Sequence, residues 1–251
     1  MAIQHRPYEG MLAESITFGG NGGDTLGGYV ARPLDGSLHG GVVLIHEVFG
    51  LVEHTKEMAR KFAAHGFICL APDLYYREGP GDLEKITAAV RAKGGLPDAQ
   101  VIGDLEGAIR AIRGIVTSNG KVGCIGHCSG GRQTLLFACN TKNLAAAVNC
   151  YGGRVVTDEL SPGQPKAVID MVSGLNCPLL GLFGAMDQNP SPAHVDRLEA
   201  ELKKFGKKYE FQRYPGDVGH GFFADYRPSY RQEAAVDGWR RIFEFFGRNL
   251  S

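Results

Sequence analysis

Cys128 is the side chain of this sequence best placed to do chemistry. It sits in Lys121-Val122-Gly123-Cys124-Ile125-Gly126-His127-Cys128-Ser129-Gly130-Gly131, where an apolar run of strand length feeds a G-x-C-x-G-G turn and a segment of helical period follows. A strand–turn–helix elbow of this kind holds its central residue at positive φ, and glycines two positions to either side leave room for the strained turn. The helix also starts at the thiol, so its positive end favours a thiolate there. A phosphate-binding loop is the rival reading. It needs Gly-Lys-Ser/Thr at the helix start, and here the residues are Gly131-Arg132-Gln133.

A thiol nucleophile needs a base, and the base needs an acid to orient it. In an elbow of this type the acid and then the histidine follow the nucleophile along the chain. After the apolar run 179–183 comes Gly184-Ala185-Met186-Asp187, and after Tyr214 comes Pro215-Gly216-Asp217-Val218-Gly219-His220. Both candidates follow strand-length runs. In an open α/β sheet the carboxyl ends of the strands share one edge, so Cys128, Asp187 and His220 are expected to meet there. His220 would take the thiol proton and later give a proton to the leaving alkoxide. Asp187 would fix the imidazole tautomer and stabilise the imidazolium. Asp217 is the competing acid, although three residues from His220 on a tight loop is an awkward approach. His127 and His46 read as packed strand-end residues.

The elements that must position this triad alternate between strand and helix, the pattern of a mostly parallel sheet covered on both faces. Strands are expected at 42–45, 67–70, 121–125, 145–150, 179–183 and around Tyr209 and Phe211. Helices are expected at 55–65, stopped by Gly66, and at 82–93, 97–115 and 129–139. A further helix carries Val195, Leu198, Leu202 and Phe205, and a closing helix carries Ala235, Trp239, Ile242 and Phe246. Residues 152–176 are rich in Gly, Pro and polar side chains, as expected of a rim or lid loop. No linker is visible, so residues 1–251 read as one domain.

Composition narrows the function classes. Hydrophobic residues make up 43% and charged residues 22%, which excludes disordered and collagen-like chains. A chain of this size buries roughly 70–75% of its unfolded surface and needs no staple. Its 27 basic and 27 acidic residues cancel, so nucleic acid and anionic membrane have no electrostatic claim on it. The first twenty residues contain no apolar signal core, and no stretch approaches a membrane span; a cytoplasmic protein is expected. The six cysteines lack CxxC spacing, so neither a disulfide framework nor a metal site is expected.

Five segments in register resemble the dienelactone hydrolase family across nearly the whole chain. They are His46-Glu47-Val48-Phe49-Gly50, Pro72-Asp73-Leu74-Tyr75-Tyr76-Arg77, Gly126-His127-Cys128-Ser129-Gly130-Gly131, Gly184-Ala185-Met186-Asp187 and His220-Gly221-Phe222. The resemblance implies an α/β-hydrolase fold and a cofactor-free monomer or weak homodimer that opens small lactones or esters. It implies that Glu47 helps pass the Cys128 proton and that the Val48 and Ser129 N–H groups form the oxyanion hole. It also implies that Arg77 binds a substrate carboxylate, with Phe49, Tyr76 and Arg227 as further substrate contacts.

Three positions depart from the family pattern. Ala224 stands where a second carboxylate-binding arginine is usual, leaving Arg227 or Arg231 as candidates to compensate. The histidine loop is one residue longer than P-G-x-G-H, and Ser129 replaces an apolar or aromatic residue. These changes bear on dienelactone as the substrate more than on hydrolysis. The alternatives are a broad esterase or hydrolase of another activated bond on the same site, and a non-catalytic ligand-binding relative.

Overall fold

Strand β3 (His39–Ile45) is buried along its whole length. It needs apolar residues on both faces because helices cover the sheet above and below. Val42 and Leu44 face one apolar cluster while Val43 and Ile45 face another, the period-two alternation of a pleated strand. In the computed structural model, which describes residues 10–251, β3 lies near the centre of an eight-stranded sheet. The other strands are β1 (Met11–Gly19), β2 (Thr25–Pro33), β4 (Ile68–Pro72), β5 (Ser118–His127), β6 (Ala146–Cys150), β7 (Leu179–Gly184) and β8 (Tyr209–Tyr214). Their order across the sheet is β1-β2-β4-β3-β5-β6-β7-β8. From β4 to β8 every pairing is parallel, while β1–β2 and β2–β4 are antiparallel.

The helices divide between the two faces. Helices α1 (Glu53–Ala64) and α6 (Gln232–Leu250) pack on the Val42/Leu44 side through Met58, Phe62, Ile242 and Phe246. On the other side lie α2 (Leu83–Ala92), α3 (Asp98–Arg113), α4 (Ser129–Asn140) and α5 (Pro192–Lys204), led by Val90, Leu105, Leu135 and Leu198. Helix α2 starts where Asp82 accepts the Glu84 and Lys85 N–H groups, a side-chain cap for otherwise orphaned donors. Helix α1 stops at Gly66, whose φ of 86° suits glycine. Among the described residues no helix is long and apolar enough to cross a membrane, and no cluster could hold a metal ion.

The expected α/β architecture is present, with one addition. The hairpin β1–β2 precedes the first strand expected from the sequence. Its residues are an edge strand with mostly exposed side chains and a second strand interrupted by Gly27-Gly28, a weak strand signal. The glycines serve packing: a Cβ at Gly27 would lie 2.6 Å from the Tyr76 ring. Residues 1–9 of the expected domain lie outside the described residues.

Candidate active site

Strand β5 ends at His127 and α4 begins at Ser129, so the whole turn is Cys128 itself, with φ 55° and ψ −121°. Positive φ is uncommon for a residue with a Cβ and costs on the order of 1–3 kcal/mol, tolerated where the surroundings enforce it. They do so here. A Cβ at Gly126 would come within 2.2 Å of the Gly130 carbonyl oxygen, and one at Gly130 within 2.5 Å of the Ile45 carbonyl oxygen. Larger residues at either position would push α4 off the sheet. The Cys128 N–H donates to the Cys150 carbonyl at 3.1 Å, tying the turn to β6.

The loops after β7 and β8 bring in Asp187 and His220, the expected acid and base. His220 Nδ1 lies 2.9 Å from Asp187 Oδ2. The other carboxylate oxygen accepts the Asn189 N–H at 2.8 Å, and the Asp187 side chain is only 1% exposed. Cys128 lines the same cavity and is near enough to act on the titration of the imidazole. Burial disfavours its charged form, but the hydrogen bonds and negative charge of Asp187 and Cys128 outweigh that and push its pKa up to about 10. Tyr151, itself at φ 40°, packs edge-on against the ring at 5.0 Å between centroids. Asp217 is not the partner: its exposed carboxylate pairs with Arg231 at 2.9 Å.

After β3 the chain supplies the facing wall. The Val48 carbonyl accepts hydrogen bonds from the Tyr75 hydroxyl at 3.1 Å and the Thr87 hydroxyl at 3.2 Å. These fix the peptide plane that follows and hold the loop beside the elbow. The Ser129 N–H opens α4, where first-turn donors have no intrahelical acceptor. Buried Glu47 receives Arg227 Nη2 on Oε2 at 2.9 Å, while its Oε1 is buried without a partner. His46 and His127 are packed, as expected. His46 Nδ1 donates to the Glu47 carbonyl at 2.6 Å and its Nε2 accepts the Leu74 N–H. His127 packs at tilted and edge-on angles among Tyr151, Phe223 and Trp239, and burial pushes its pKa down to about 3.

Val48, Cys128, Ser129, Asp187 and His220 all line one cavity of about 830 Å³. The 152–176 segment forms part of its rim through Gly153, Arg154, Glu159, Leu160, Ser161 and Gln164. The cavity thus brings together a cysteine on a strand-to-helix elbow, a histidine oriented by a buried carboxylate and two candidate oxyanion donors, an arrangement with the parts that acyl transfer needs.

The sequence pattern of the dienelactone hydrolase family matches residues 26–250. The chain belongs to the dienelactone hydrolase family. A Methylorubrum extorquens protein provisionally named a carboxymethylenebutenolidase is 39% identical over 223 residues, covering 87% of this chain and 75% of the relative. A Salmonella typhimurium protein with the same provisional name is 36% identical over 254 residues, covering 97% of this chain and 90% of the relative. The crystal structure of a provisionally assigned dienelactone hydrolase from Klebsiella pneumoniae superposes with a TM-score of 0.87 at 32% identity, covering 95% of this chain and 99% of the other.

Several contacts expected from the dienelactone hydrolase resemblance lie elsewhere. Arg77 does not reach the cavity. Its Nη1 and Nη2 grip the two Asp104 oxygens at 2.8 and 2.9 Å and its Nε holds Asp24 at 2.9 Å, binding the β1–β2 hairpin to α3. The planar fork that suits a substrate carboxylate suits Asp104 equally well. Tyr76 packs on Gly27 and lines neither major cavity. Phe49 and Arg227 stack on each other, 4.4 Å from guanidinium to ring centroid, and line a neighbouring groove instead. Arg231 is committed to Asp217, so of the two candidates only Arg227 comes near the site, through Glu47.

Tyr75, Leu96, Leu160 and Met186 are cavity residues the sequence did not single out. Tyr75 was one residue from the expected Tyr76, Met186 lies inside the segment that carries Asp187 and Leu160 inside the expected rim loop, while Leu96 had no motif to mark it. Arg77→Met is expected to destabilise the fold by about 3 kcal/mol, the lower end for stranding a buried charge, because the Asn21 N–H still serves Asp104. It should leave the ratio of kcat/KM for anionic and neutral esters unchanged. Urea melts and a paired substrate assay check both parts.

Proposed function

We propose that this protein hydrolyses a small-molecule carboxylic ester or lactone through a thioester on Cys128. The observation that carries the reading is the juxtaposition of a strained, helix-capping cysteine with a histidine held by a buried carboxylate, both opening onto one cavity. His220 removes the thiol proton and the thiolate attacks the carbonyl carbon. The developing oxyanion is received by the Val48 and Ser129 N–H groups, donors that act best when fixed beforehand. His220 then protonates the departing alkoxide, leaving the acyl group on sulfur. In the second half His220 deprotonates a water molecule that attacks the thioester, and the thiolate leaves with the acid formed. Glu47 remains a candidate relay for the thiol proton, because its Oε1 is buried without a partner.

Mass spectrometry after quenching with p-nitrophenyl acetate tests the reading directly. The expected result is an acetyl increment on the peptide carrying Cys128, absent after pretreatment with a thiol reagent. Turnover that continues undiminished with Cys128 alkylated would rule the mechanism out.

The pH profile follows from His220. In the free enzyme its pKa is raised from 6.5 to about 10 by Asp187 and Cys128, so the proton that an alkoxide later takes is held on the imidazole through neutral pH and is lost as pH rises through about 10. Alkyl-ester hydrolysis should therefore decline there. The acylation burst with a p-nitrophenyl ester, whose phenolate departs without a proton, should not. The same linkage applies to stability: the contribution of the charged His220 is complete below pH 6.5 and disappears as pH rises through about 10. Burst and steady-state rates on the two ester types separate these expectations.

A further inference from the structure

The cavity beside Cys128 is larger and more apolar than the opening of a compact ring requires. Sites that enclose drug-sized ligands span roughly 300–1,000 Å³, and this one measures about 830 Å³. Away from the triad its wall is built by Tyr75, Val90, Leu96, Leu160 and Met186. Two of these are apolar side chains left largely open to water, Leu160 at 55% and Met186 at 59% exposure.

The charged groups on that wall are mostly neutralised in pairs. Arg132 is bound to Asp98 at 2.8 Å and Arg154 to Glu159 at 2.6 Å. Arg91 lies where the cavity borders the neighbouring groove, since it lines both. Gln133, Gln164 and Gln188 also line the cavity, but most of its exposed lining is hydrocarbon, and removing exposed hydrocarbon from water favours an apolar ligand.

Building on the hydrolase reading, we propose that this wall receives an extended apolar chain joined to the scissile carbonyl or to its ester oxygen. The substrate class is then a medium-chain ester. The 152–176 segment, which contributes Leu160, becomes the part of the chain that selects for it. A chain lying along the wall would be desolvated with each added methylene, and the gain would appear in kcat/KM.

Two ester series test this, with product acid or alcohol quantified: vinyl esters of straight-chain acids from acetate to octanoate, and acetates of straight-chain alcohols from methanol to octanol. In at least one series kcat/KM should rise by roughly fourfold per methylene, equivalent to about 0.8 kcal/mol each, until the wall is filled. Leu160→Asp, at an exposed position the fold tolerates, should flatten that rise by placing a charge where the chain lies, and Leu160→Ala should reduce it. Circular dichroism verifies that the variants remain folded. Cys128-dependent hydrolysis with no dependence on chain length in either series would overturn the groove assignment alone, as would a rise that Leu160→Asp leaves intact. If no ester in either series shows Cys128-dependent hydrolysis, the hydrolase reading itself falls.

Discussion

Cys128→Ala is expected to abolish ester hydrolysis, with kcat falling on the order of 10⁴–10⁶-fold, because the members of a triad act as a unit and losing the nucleophile removes the covalent route altogether. The substitution removes one sulfur atom from a half-buried side chain, so the fold should survive. Alanine must still take up φ 55°, as cysteine does, and the glycines around it are unchanged. Far-ultraviolet circular dichroism and the urea midpoint should therefore stay close to wild type. The control lies in the other cysteines. Cys69, Cys124 and Cys150 are fully buried, and burial raises their pKa values well into the range of an unreactive thiol. Cys124→Ala should cost stability and leave the active fraction turning over normally. A Cys128→Ala enzyme retaining a tenth of wild-type turnover would remove Cys128 from the mechanism.

The second large effect is expected at Asp187. Asp187→Asn keeps the volume of the side chain but replaces one acceptor oxygen with an N–H₂ donor. If that donor faces His220 Nδ1, the ring must accept there and carry its proton on Nε2, the nitrogen that has to receive the thiol proton. Loss of the correct tautomer costs on the order of 10⁴ in kcat in a triad of this kind. The charge that helps raise His220 is lost as well, so the high-pH limb of alkyl-ester hydrolysis should move to lower pH. Asp217→Asn should do neither, because it breaks an ion pair whose carboxylate is 82% exposed, a contact contributing about 0–1 kcal/mol. Matched assays of the two variants decide the point. If Asp217→Asn proves the more damaging, the catalytic acid has been misassigned.

The elbow and the meeting of Cys128, Asp187 and His220 at one cavity were legible because their signals are local. G-x-C-x-G-G between a strand and a helix carries its own steric logic, and an acid or histidine directly after an apolar strand must lie at the sheet's carboxyl edge. Arg77 was misread for the opposite reason. Its partner Asp104 lies on the buried side of α3, and nothing around either residue announces that the two meet. The motif placed an arginine near the site; only the packing of α3 against the β1–β2 hairpin determines where the guanidinium points. The cavity wall was partly hidden: the 152–176 segment was expected at a rim, but which of its residues face the cavity, and that Leu96 joins Leu160 there, had no local signal. The hairpin itself escaped notice because Gly27 and Gly28, which make room for Tyr76 and β4, erase the strand alternation.

The order of the sheet also bears on the protein's synthesis. Cys128 sits after β5, between β3 and β6, whereas Asp187 and His220 follow β7 and β8 at the far edge. Chains emerge amino-terminus first. The thiol and its elbow therefore leave the ribosome well before the acid and the base. Until the loop after β8 is made, the nascent chain carries the proposed nucleophile without its proposed proton acceptor. On the proposed mechanism hydrolysis waits for the loop after the last strand, so a chain released before His220 is made would be inert toward esters.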